Sequence, residues 1–97
     1  MILEKAVLNV KPELQKTFED AFRQASVYIS SVKGYVNHEL HICLEQENQY
    51  LLLVTWQTVE DHTIGFRQSE AYNEWKRLLH HYYEPFPIVE HYKKIEL

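Results

Sequence analysis

Residues 35–56 read YVNHELHICLEQENQYLLLVTW, and the order of elements in the whole chain turns on them. Over 35–45 the residues alternate. Val36, His38, Leu40, Ile42 and Leu44 fall on one face, and Tyr35, Asn37, Glu39, His41 and Cys43 fall on the other, the period of a strand. The polar stretch Glu45–Gln49 then reads as a hairpin turn, though it lacks an Asn-Gly pair. Tyr50 to Trp56 is apolar at odd and even positions alike, as in a central strand covered on both sides.

On the N-terminal side, residues 2–10 (ILEKAVLNV) predict a further strand. Leu14, Phe18, Ala21, Phe22, Ala25 and Ile29 recur at spacings of three and four. They predict an amphipathic helix over about 12–31, with Pro12 in its first turn, Glu13 beside its positive end and Gly34 closing the connection. On the C-terminal side, Thr58 and Asp61 have the spacing of a capping box and open a short helix over about 59–67. Ser69 is placed to cap a second helix with Ala71, Trp75, Leu78 and Leu79 on its apolar stripe, stopped by Pro85 and Pro87. Ile88–Ile95 (IVEHYKKI) reads as the last strand. The string is βαββαβ. In a single domain spanning 1–97 it predicts an α+β, ferredoxin-like sandwich with the helices on one face of an antiparallel sheet. The bare sheet face then needs a cover, and a homodimer packing two sheets together supplies one.

Composition narrows the function. Ten Lys+Arg against 14 Asp+Glu give a net charge of −4, and Lys93-Lys94 is the nearest approach to a basic stripe. Nucleic acid and anionic membranes are therefore not expected partners. The longest apolar run, Leu51–Val54, is too short to span a bilayer. The N-terminal residues lack a signal-peptide pattern, and the lone Cys43 fits a reducing compartment, so the expected location is cytoplasmic. Cys43 itself reads as a buried, inert thiol. No glycine-rich phosphate loop is present, so Rossmann-type recognition of flavin or nicotinamide is not expected.

The segment VTWQTVEDHTIGFRQSEAYNEW, Val54–Trp75, resembles the antibiotic-biosynthesis monooxygenase family of dimeric α+β barrels, and IVEHYKKI fits that family's last strand. The family is functionally mixed. It includes cofactor-free oxygenases of quinols and polyketide anthrones, heme-degrading enzymes and proteins without assigned activity. For this chain the resemblance implies a monooxygenase that uses dioxygen on a small aromatic substrate with no cofactor. The alternatives are a non-catalytic small-molecule-binding dimer and, third, a heme protein. Heme-degrading members carry an Asn on the first strand, a Trp on the short helix and a His on the next. Asn9 matches the first; Gly65 or Phe66 and Lys76 stand at the other two, with His80 one turn beyond.

On this reading, Asn9 and Arg67 position substrate, and Trp56, Phe66 and Trp75 shape an aromatic wall. Proton transfer falls to His62, His80 or His91. The competing expectation has Arg67 paired with Glu70 or Glu74 and His62 merely packing. No metal site is expected, because adjacent His80 and His81 point about 100° apart on a helix, and no HExxH or paired-Cys pattern occurs.

Overall fold

The computed structural model describes residues 1–97. It contains β1 (Ile2–Asn9), α1 (Gln15–Ile29), β2 (Tyr35–Ile42), β3 (Gln49–Trp56), a π-helical turn (Asp61–Phe66), α2 (Glu70–Leu79), a 3-10 turn (His80–Tyr82) and β4 (Val89–Lys93). The strands form one antiparallel sheet in the order β2-β3-β1-β4. This is the α+β, ferredoxin-like arrangement expected from the sequence.

Alternation decides which residues enter the core. In β1, Glu4, Ala6 and Leu8 point to the helices, as does Val10 just beyond it, and in β3 Tyr50, Leu52, Val54 and Trp56 do the same. Opposed residues share a face: Glu4 pairs with Val54, Ala6 with Leu52 and Leu8 with Tyr50. Phe18, Phe22, Ala25 and Ile29 of α1 and Trp75 and Leu79 of α2 close over them. The other pleat carries Leu3, Val7, Leu51 and Leu53, and no element of the chain lies on it.

Several boundaries move for local reasons. Helix α1 starts at Gln15, not at Pro12, because Glu13 adopts a left-handed backbone (φ 68°) that a helix cannot contain. At its other end Ser30 and Ser31 turn out, each hydroxyl returning to a carbonyl three residues back. In β2, Tyr35 opposes Trp56 and Asn37 opposes Thr55, so Val36 is bulged. The bulge resets the pleat. Tyr35 therefore joins His38 on the helix side, where its hydroxyl meets His38 Nδ1 at 2.5 Å, and not on the face the simple alternation assigns it. Strand β2 ends at Ile42, leaving half-buried Cys43 just beyond it, and β4 is limited to Val89–Lys93. Helix α2 ends at Leu79, ahead of the prolines expected to stop it, by tightening into the 3-10 turn.

The connection that positions the site follows the sequence closely. Thr58 and Asp61 form the reciprocal capping box: Asp61 N–H donates to Thr58 Oγ1 (3.1 Å), and Thr58 N–H donates to Asp61 Oδ2 (3.2 Å). Gly34, at φ 88°, lies against the Asp61 side chain so closely that a Cβ there would fall 2.1 Å from it. Ser69 caps α2, its hydroxyl accepting from Tyr72 N–H at 3.1 Å.

Candidate active site

The turn after the capping box is wound one residue wider than an α-helix, with Arg67 N–H donating to His62 C=O at 3.2 Å. In an α-helix, residues five apart would point about 140° from each other. The i→i+5 bond instead brings His62 and Arg67 to one side of the turn. Both line a cavity of about 360 Å³ between this turn, α2, β4 and the helix-facing side of β1. Phe66, Tyr72, Trp75, Tyr83 and Phe86 supply its aromatic wall, and Ala6, Leu8 and Leu52 its floor. Such a volume and lining suit a small, largely apolar ligand with a few polar anchors.

One polar array is buried at the end of this cavity. Glu4, 5% exposed, accepts a hydrogen bond from Trp56 Nε1–H at 2.9 Å on Oε1. The same oxygen lies 3.4 Å from His62 Nε2. His62, 3% exposed, meets His91 Nε2 through Nδ1 at 2.8 Å and stacks on the Trp56 indole, centroids 5.3 Å apart and planes 19° from parallel. Nδ1 of His62 is thus hydrogen-bonded inside the protein, and Nε2 faces Glu4.

Charge in this array is set by burial. Burial pushes the His62 pKa down to about 3, and the positive charges of Arg67 and His91 push it the same way. His62 is therefore a neutral imidazole at physiological pH, and its 3.4 Å approach to Glu4 is a close contact and not an ion pair. Burial raises the Glu4 pKa, against the opposing effects of the Trp56 hydrogen bond and the Arg67 charge. His91 is lowered by burial and by Arg67. With Glu4 ionised, His91 Nε2–H donating to His62 Nδ1 leaves the His62 Nε2–H turned toward Glu4 Oε1, 3.4 Å away.

Of the residues singled out from sequence, His62, Phe66, Arg67, Trp75 and His80 line the cavity together. His80 sits on the α2 side among Tyr72 and Phe86, its pKa lowered by burial and by Lys76. His91 stands behind His62. Trp56 is fully buried beneath the site and holds Glu4, so it supports the wall without being part of it. Asn9 is misplaced by the sequence reading: it falls on the opposite pleat of β1, where its side-chain oxygen accepts from Gln49 Nε2 (3.2 Å). Arg67 does not pair with Glu74, which instead takes Arg77 at 2.8 Å. The residue that sequence reading missed is Glu4. Its signal was its phase, two residues before Ala6 and four before Leu8 on the core-facing side.

The chain matches the model of the antibiotic biosynthesis monooxygenase family over residues 1–78. It is 55% identical to the uncharacterized protein YczJ of Bacillus subtilis, over 98% of this chain and 100% of that protein. A Bordetella bronchiseptica crystal structure, provisionally named an antibiotic biosynthesis monooxygenase, superposes with a TM-score of 0.93 at 33% identity, covering 98% of this chain and 97% of the other. SnoaB, a cofactor-independent oxygenase from Streptomyces nogalater, shares the fold at TM-score 0.75 and 14% identity, over 99% and 94% of the two chains. The match over residues 1–78, together with the Bordetella likeness across nearly the full chain, places this protein in the antibiotic biosynthesis monooxygenase family.

Proposed function

We propose that the protein is a cofactor-independent monooxygenase acting on a small aromatic compound of the quinol or anthrone type, working as a homodimer. The observation that carries this reading is the pairing, in one aromatic-lined cavity, of a buried carboxylate–imidazole array with a cation that has no carboxylate of its own. The chemistry such a site supports begins with deprotonation. A phenolic substrate gives up a proton to the array, and its electron-rich anion, held near Arg67, passes an electron to dioxygen. For an anthrone, the ring methylene becomes a carbonyl with one oxygen atom, and the other leaves as water. The substrate supplies all four electrons, so no flavin or metal is needed for the balance.

The test is oxygen uptake by purified protein with a dihydroxyanthrone or a quinol and no added cofactor. Consumption above the spontaneous rate, reduced about 10²–10⁴-fold when proton removal is disabled, is the expected result. Binding without oxygen uptake would leave a non-catalytic small-molecule-binding dimer on the same scaffold.

A further inference from the structure

The array contains one unpartnered acceptor, and it belongs to Glu4. Oε1 is held by the Trp56 indole and faced by His62. No donor of the chain approaches Oε2, yet no fully buried side-chain oxygen in the protein lacks a partner. Glu4 Oε2 is therefore open, and Glu4 lines the cavity. His62 lines the same wall, but its Nδ1 is hydrogen-bonded to His91 and its Nε2 is turned toward Glu4 Oε1 at 3.4 Å, so Glu4 Oε2 is the acceptor of the array with no neighbour in the chain.

We propose that Glu4 is the group that takes the proton from bound substrate, with His62 and His91 acting as positioning residues that hold its carboxylate. The inference rests on the phenolic substrate class proposed above. In the step, the substrate O–H bond breaks, the proton passes to Glu4 Oε2, and the electron pair stays on the phenolate oxygen. The cavity holds one negative charge before the step and one after it. That charge moves from a carboxylate that burial penalises to a delocalised anion beside Arg67. The raised pKa of Glu4 brings it closer to that of a phenol, which a solvent-exposed Glu would not match. The groups that face Glu4 and tune this exchange are His62 and Arg67 at the π-helical turn and His91 on β4. Tyr72, His80 and Tyr83 face it from across the cavity.

An anaerobic titration separates this step from oxygen chemistry. A dihydroxyanthrone, whose neutral and anionic forms absorb at different wavelengths, is added under argon to the wild type and to three variants. The wild type is expected to bind the anion. Glu4→Gln keeps an acceptor for Trp56 and nearly the same volume, and should bind the neutral form with the anion fraction down at least tenfold. Glu4→Asp keeps the acid but withdraws it by one methylene, and should recover part of the anion band. His62→Ala, which removes a positioning group and not the acceptor, should lose less of the band than Glu4→Gln. Full anion binding by Glu4→Gln, or loss confined to His62→Ala, would overturn the assignment and make His62 the acceptor. Should Glu4→Gln not fold, as judged by circular dichroism, Glu4→Asp and His62→Ala decide by the same criterion. Anion binding without oxygen uptake in air would leave Glu4 as the acceptor and remove only the monooxygenase reading; a wild type that binds no anthrone overturns both.

Discussion

His62 is a histidine that folding keeps neutral, and this has a consequence for stability that needs no substrate. In the unfolded chain its pKa is near 6.5; in the fold, burial and the charges of Arg67 and His91 bring it to about 3. Between those values the unfolded chain binds a proton that the folded protein refuses, so stability falls as pH drops from 6.5 towards 3. The slope from one such group is at most about 1.4 kcal/mol per pH unit. Glu4 acts with the opposite sign: its folded pKa is raised, so its contribution is full below about 4.5 and lost as pH climbs through the raised value. Replacing His62 by Gln should therefore flatten the acid side of the stability profile. Urea unfolding at pH 4, 5 and 6 reads this directly, and parallel profiles for the two proteins would mean that His62 titrates normally. At this scale sequence reading found the histidine and the arginine but not their partner. A glutamate among strand residues reads as solvent-facing, and only the pairing of Glu4 with Val54 and His91 puts it inside.

At the scale of elements, the βαββαβ string, the hairpin and both capping signals were legible, because each rests on contacts between residues a few positions apart. What was not legible depends on geometry that periodicity averages over. The bulge at Val36 shifted Tyr35 to the other pleat, and the left-handed Glu13 cut the first helix short. The π-helical winding matters most for the site, since an α-helical reading would send His62 and Arg67 to different sides. That turn is held at its start by the capping box, and the box is held by Gly34. Adding a methyl at Gly34 meets Asp61 at 2.1 Å and places a Cβ in the left-handed region at φ 88°. The backbone cost alone is about 1–2 kcal/mol, and Asp61 must leave Thr58 as well. Gly34→Ala is expected to lose about 2–4 kcal/mol in chemical denaturation. A loss below about 0.5 kcal/mol would show that the box does not fix the turn.

For the whole molecule, the decisive feature is a sheet finished on one side only. Leu3, Val7, Leu51, Leu53 and Tyr92 share the pleat away from the helices, with Leu3 36% and Tyr92 44% exposed. The titratable groups beside them are the Glu39–His41 pair at 2.8 Å and the Lys5–Glu90 pair at 3.8 Å. A second copy packed sheet to sheet would bury on the order of 1,500–2,500 Å² in total, the range of stable dimers. Leu53 lies at the middle of that face, between Lys5 and Glu39 on the neighbouring strands. Leu53→Glu should yield a folded monomer in sedimentation at micromolar concentration, because the side chain touches none of the core. A wild type that stays monomeric over a hundredfold concentration range would remove the dimer from the proposed function. The cavity gives the monomeric variant a second use. Its floor residues Ala6, Leu8 and Leu52 occupy the opposite pleat from Leu53. Anthrone affinity of Leu53→Glu is therefore expected within about threefold of wild type. A loss of more than tenfold with the fold intact would mean that the second copy braces the sheet beneath the site, coupling assembly to binding through the shared strands β1 and β3.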